Sequence, residues 1–103
     1  MKKIMLVCAA GMSTSLLVTK MIQASKEAGE EAEIFALPVS EGVNKIGEVD
    51  CILLGPQVRF QKAQIEKEIA EKGLSTPVDV IDMRDYGMMN GKKVFEFAKK
   101  LMG

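Results

Sequence analysis

The sequence predicts an α/β fold: a single-domain, four-stranded parallel open sheet of order 2-1-3-4 with helices on both faces. Four short apolar runs, at 3–8, 33–37, 50–54 and 77–82, each suit a strand buried on both sides. Helix-period segments separate them, and that alternation implies a parallel sheet joined by crossovers. The order itself follows by analogy with flavodoxin-like sheets. The chain has 103 residues, 48% of them hydrophobic, enough for one core and too few for two, so 1–103 is expected to be one domain.

The first strand carries Ile4-Met5-Leu6-Val7 and ends at Cys8. A stretch of small residues and hydroxyls follows, Ala9-Ala10-Gly11-Met12-Ser13-Thr14-Ser15. A helix comes next, with Leu17, Met21, Ala24 and Ala28 along one face and Gly29 as its C-cap. Glu33–Leu37 reads as the second strand, which Pro38 helps to end. Residues 40–48 read as a short helix capped by Ser40. Asp50–Leu54 is the third strand, closed by Gly55-Pro56. Residues 57–72 read as one helix, with Gln61, Ile65 and Ile69 on its inner side. Lys62/Glu66, Lys67/Glu71 and Glu68/Lys72 face each other on the outer side, and Gly73 ends the helix. Residues 77–82 make the fourth strand, 83–87 a loop, and Val94, Phe97, Ala98 and Leu101 the inner face of a last helix.

Composition excludes much. Lys plus Arg equals Asp plus Glu at 14 each, and no basic run stands out, which argues against nucleic acid or a membrane surface as the main partner. No apolar stretch approaches the ~20 residues of a membrane helix. The run after Lys2-Lys3 is too short for a signal peptide, so a cytoplasmic protein is expected. Histidine is absent, and two cysteines are too few for a zinc signature; no metal or other cofactor is expected. Any chemistry on this chain therefore runs on Cys, Ser, Thr, Tyr, Asp, Glu or the backbone.

Cys8 is the candidate nucleophile. A small-residue loop entering a helix aims several backbone N–H groups at one point, where the helix dipole adds positive potential. An anion binds at such a point, and a thiolate there is stabilised by the same donors. The arrangement is a nucleophile in its own anion cradle, and its natural electrophile is a phosphoryl group. The hydroxyls of Ser13, Thr14 and Ser15 are candidates for helix capping and for phosphate oxygens. Ligands of open α/β sheets bind where the strand order reverses, here between strands 1 and 3, so Cys8 and Gly55-Pro56-Gln57 should flank the site, with Tyr86 on the same rim. Cys51 sits early in strand 3, about 15 Å from Cys8 if the strands are in register, and is read as core.

These motifs resemble the IIB component of the bacterial phosphoenolpyruvate-dependent sugar phosphotransferase system, lactose/cellobiose (chitobiose/lichenan) type. The likeness lies in Cys8–Ser15, in Leu53-Leu54-Gly55-Pro56-Gln57, and in Val80-Ile81-Asp82 with Tyr86-Gly87, and runs over nearly the whole chain. It implies a four-stranded parallel sheet, resembling the low-molecular-weight tyrosine phosphatase fold, and a phosphocysteine at Cys8. The donor it implies is a phosphohistidine on a IIA protein. The acceptor is a sugar, such as the β-linked disaccharide cellobiose, held by the membrane IIC permease at whose inner face the protein acts transiently. By position, the backbone N–H groups of Ala9, Ala10, Gly11, Met12, Ser13, Thr14 and Ser15 make the phosphate cradle, and Gln57 and Tyr86 are rim residues. A monomer is expected.

Rival readings share parts of this geometry. Low-molecular-weight tyrosine phosphatases place an arginine six positions after the cysteine, where this chain has Thr14. They also use a loop aspartate, for which Asp82 and Asp85 are candidates. Without the arginine, transfer to water lacks its main electrostatic support, which suits a relay that must hold its phosphoryl group. A non-enzymatic phosphate-sensing or partner-binding module is a second rival. A thiol redox protein is a third, weakened because no resolving cysteine lies near Cys8. For a relay, Met12, Val58, Phe60, Tyr86, Met88 and Met89 with Arg59 would form a transient apolar docking rim.

Overall fold

A computed structural model describes residues 1–9 and 12–103, with the side chains of Met12 and Ser13 outside the description. The sheet comprises β1 (Lys2–Cys8), β2 (Ala32–Pro38), β3 (Cys51–Leu54) and β4 (Val78–Val80). All pairs are parallel and the order is β2-β1-β3-β4, as the sequence predicts. The helices are α1 (Met12–Glu27), α2 (Val39–Gly42), α3 (Lys62–Glu71), α4 (Met83–Gly87) and α5 (Gly91–Met102). Two 3₁₀ segments, Val43–Glu48 and Pro56–Gln61, complete the chain.

Strand alternation divides the core in two. Ile4 and Leu6 of β1, Ile34 of β2, and Cys51 and Leu53 of β3 point toward Leu17 and Met21 of α1 and Val94, Phe95 and Ala98 of α5. Met5 and Val7 of β1 and Ile52 and Leu54 of β3 point the other way, onto Ile46, Val58, Ile65 and Ile69. Both faces of the central strands are therefore covered, which is why those strands read as unbroken apolar runs. Helices α1 and α5 meet at Gly91, where an added Cβ would lie 2.5 Å from the Lys20 carbonyl carbon. Gly29 and Gly73 both take φ +70 just beyond α1 and α3, the left-handed stop expected of them.

Four expectations are corrected. Ser40 caps nothing: α2 starts from Pro38, with no side-chain cap, and a 3₁₀ segment follows it. The region 57–72 is not one helix, because Val58 leaves helical geometry (φ −117, ψ 22) and only Lys62–Glu71 is α. The loop at 83–87 is instead the short helix α4, whose N-cap Asp82 accepts from the backbone N–H groups of Arg84 at 2.9 Å and Asp85 at 3.1 Å. Phe95, absent from the expected inner face of the last helix, is more deeply buried than Phe97. Of the three outer pairs on α3, Lys62–Glu66 closes at 3.6 Å.

Candidate functional site

The end of β1 and the start of α1 face each other across Cys8. Its neighbours in β1 pair on both sides: Val7 is opposite Leu37 of β2 and Leu54 of β3. Just beyond β3, the N–H of Gly55 donates to the Val7 carbonyl at 2.8 Å, which pins the third strand's exit beside the first's. That is the point where the strand order reverses.

Cys8 is 2% exposed. Its thiol donates to the Leu37 carbonyl at 3.8 Å, a weak contact of the S–H type. In the other direction, the Thr14 hydroxyl donates to Cys8 Sγ at 3.3 Å. Thr14 is fully buried, in the first turn of α1, so the helix brings a hydroxyl from six residues downstream back onto the sulfur. Ser15 is exposed, and its carbonyl accepts from the Thr19 hydroxyl at 3.1 Å. Ala9 is exposed in a bend. Ala10 and Gly11, and the side chains of Met12 and Ser13, lie outside the described residues, so the middle of the expected cradle remains an expectation.

The other side of the site is the turn after β3. An added Cβ on Gly55 would lie 2.9 Å from Gln57 Oε1, 3.6 Å from the Tyr86 ring and 3.6 Å from the Val7 carbonyl. Gly55 therefore brings Gln57 and Tyr86 together within a few ångströms of the residue before Cys8. Gln57 is exposed, as a rim residue should be. Tyr86 is 7% exposed and belongs to the α1/α5-side core, so it is a wall of the site and not an open rim. Val58 is likewise buried and drops out of the apolar rim, whereas Phe60 at 74% and Met88 at 64% are exposed. Met89 is half-buried against the core and takes φ +52.

Cys51 pairs with Ile4, four residues short of Cys8, so roughly 13 Å separate the two cysteines along the strands. It is completely buried, and burial, with the Asp50 carboxylate adding repulsion, pushes its thiol up to about 12. Asp82 spends one carboxylate oxygen on capping α4, so one of the two candidates for a phosphatase loop acid, Asp82 and Asp85, already has a structural task. Among the described residues no cluster of three His, Cys, Asp or Glu could hold a metal ion, and no helix is long and apolar enough to cross a membrane.

Two parts of the site escape sequence reading. The Leu37 carbonyl is a backbone group whose place depends only on the β1/β2 register. The Thr14 hydroxyl is legible as a candidate phosphate ligand, but its contact with the sulfur is not. The one available signal was its offset: a position six residues after the cysteine is where the first turn of the helix comes back past the strand end.

A strand-end cysteine at the switch point of a four-stranded parallel sheet, leading into a helix, defines a class of small α/β domains. Phosphotransferase IIB components and low-molecular-weight tyrosine phosphatases both belong to it. Comparison with known proteins separates the two. Residues 3–97 match the family described as PTS system, lactose/cellobiose specific IIB subunit. The chain belongs to that family. It is 47% identical to the oligo-beta-mannoside-specific EIIB component of Bacillus subtilis, covering 99% of this chain and 97% of that one. It is 48% identical to the galactose-specific EIIB component of Lactococcus lactis subsp. cremoris, with coverages of 98% and 96%. The cellobiose-specific IIB component of Borrelia burgdorferi superposes with a TM-score of 0.78 at 37% identity, over 98% of this chain and 91% of that one. The lactose-specific IIB domain of Streptococcus pneumoniae superposes with a TM-score of 0.84 at 16% identity, over 97% and 96%, a likeness of fold. The protein is thus a IIB phosphotransferase component of a sugar-transport system.

Proposed function

We propose that Cys8 is the phosphoryl carrier of this component. In this reading Cys8 takes a phosphoryl group from a phosphohistidine on a IIA protein and passes it to a sugar held by a membrane IIC permease. Residues 1–103 act as one domain and one monomer on the cytoplasmic side. The observation that carries the reading is the placement of Cys8: a sulfur at the end of the central strand, at the strand-order reversal, with the start of α1 turned onto it. The backbone N–H groups from Ala9 to Ser15 hold the phosphoryl oxygens, as donors at a helix entrance do. Gln57 and Tyr86, gathered at Gly55, border the same space.

The chain's chemistry supports a donor in trans, since it has no histidine of its own. It also supports a carrier over a hydrolase. Thr14 stands where a phosphatase has its arginine, and Asp82 is committed to a helix cap. Relatives named for oligo-beta-mannoside, galactose and cellobiose lie at 47%, 48% and 47% identity. Near-equal likeness to differently named relatives fits a carrier that meets its sugar only through phosphorus. The sugar, a β-linked disaccharide such as cellobiose in this reading, is selected by IIC and not by this chain.

The test is intact mass after incubation with phosphoenolpyruvate, the two general phosphotransferase proteins and a cognate IIA. The reading predicts one added phosphoryl group when IIA is present, none without it, and none in Cys8→Ser. Turnover of p-nitrophenyl phosphate with no stable adduct would move the protein to the phosphatase class.

A further inference from the structure

We propose that the buried hydroxyl of Thr14 positions and stabilises the Cys8 sulfur itself, not the phosphoryl oxygens; this rests on the carrier reading above. Among the described residues, the sulfur meets two partners of opposite kind. The Leu37 carbonyl, at 3.8 Å, can only accept, so it serves the neutral thiol. The Thr14 hydroxyl, at 3.3 Å, donates, and its bond strengthens when sulfur carries charge. Loss of the S–H proton therefore removes one partner and reinforces the other.

Sulfur carries that charge twice in a relay. In the first step the thiolate's electron pair forms the S–P bond while the P–N bond of the phosphohistidine breaks, leaving its pair on the imidazole nitrogen. In the second step the S–P pair returns to sulfur. A sugar hydroxyl oxygen then makes the new P–O bond, and its proton leaves to a base on the acceptor side. Thr14 keeps its own proton in both steps and lends it to sulfur as a hydrogen bond. The same contact helps sulfur attack and helps it leave, which is what reversible transfer between two partners requires.

Two features of the residue suit this task. A fully buried hydroxyl has no bulk water to turn to, so protein groups fix its direction. Threonine is also β-branched, which leaves its χ1 two main rotamers in a helix, so few orientations are lost when the hydroxyl is held on the sulfur.

Thr14→Val replaces the hydroxyl with a methyl of similar volume, and Thr14→Ser restores the hydroxyl; Thr14→Ala stands in for Thr14→Val should that variant not fold. Two rates are read by intact mass on each protein: single-turnover phosphoryl uptake from phosphorylated IIA, and alkylation of Cys8 by iodoacetamide at neutral pH. A hydrogen bond to a charged partner predicts a loss of about tenfold in both rates for Thr14→Val and near-wild-type rates for Thr14→Ser, at similar melting temperatures. Wild-type alkylation in Thr14→Val overturns the inference, whatever the phosphoryl assay gives. Slow rates in Thr14→Ser as well as in Thr14→Val also overturn it, because the hydroxyl would then not be the operative group. If wild type takes up no phosphoryl group while Thr14→Val is alkylated slowly, the carrier reading fails and the sulfur-donor contact stands.

Discussion

Cys8 and Cys51 belong to adjacent strands of one sheet and sit in opposite chemical settings. Cys8 ends its strand beside a hydroxyl donor, whereas Cys51 begins its strand opposite Ile4. Burial first, and Asp50 second, raise the Cys51 thiol from an ordinary 9.0 to about 12. The native state therefore keeps a Cys51 proton that the unfolded chain releases above 9.0. Stability should fall, relative to Cys51→Ala, as pH rises from 9.0 toward about 12, and be unaffected by this group below 9.0. Urea melts of both proteins across that window check it; parallel curves would refute the linkage. In the folded protein iodoacetamide should leave Cys51 unmodified, and unfolding in urea should expose it. Position in the apolar run made Cys51 legible as core, and position before the small-residue loop makes Cys8 the candidate nucleophile. Thr14 shows where that legibility ends. Replacing it with arginine, the direct way to mimic a phosphatase, would seat a guanidinium at a site with no exposure and is expected to destabilise the fold before it informs on hydrolysis.

At the level of elements, strand runs and glycine stops were readable because burial on both faces and left-handed φ leave strong marks on composition. Short connections were not. The segment Asp82-Met83-Arg84-Asp85 looks like a loop until Asp82 is seen to cap α4, a five-residue helix too short for any periodicity to register. Asp82→Ala should cost ~1 kcal/mol and loosen the turn that carries Tyr86 to Gly55. Chemical denaturation, with tyrosine fluorescence as a local probe, measures both. The kink at Val58 was hidden by the run of helix-forming residues that follows it; its buried side chain is held by the α3-side core. The α1/α5 crossing is set at Gly91, where a Cβ would fall 2.5–2.7 Å from the Lys20 backbone and Cβ. Gly91→Ala should force the two helices apart, costing ~2 kcal/mol or more, which thermal unfolding would show.

Seen whole, the sheet gathers its candidate chemistry at one end. The carboxyl ends of β1, β3 and β4 lead into the Cys8 loop, the Gly55-Pro56-Gln57 turn and α4. Exposed Phe60, Met83 and Met88 follow the ends of β3 and β4. A carrier must let two partners approach one sulfur in turn, and exposed apolar groups at that end of the sheet suit a transient contact. Phe60→Ser should slow phosphoryl uptake from IIA several-fold at unchanged melting temperature, since a side chain this exposed adds little to stability; stopped-time uptake assays decide it. The architecture was readable from four runs and their spacing. The sulfur's contacts with Leu37 and Thr14 were not, because the first is to a backbone carbonyl and the second depends on how a helix turns. The most direct test of the account is to locate the phosphoryl group by peptide mapping after loading through IIA. Trypsin places Cys8 in the peptide 4–20 and Cys51 in the peptide 46–59. The account predicts the added phosphoryl mass on 4–20, at Cys8, and nowhere else. A phosphoryl group on any other peptide, or its persistence in Cys8→Ser, would contradict it.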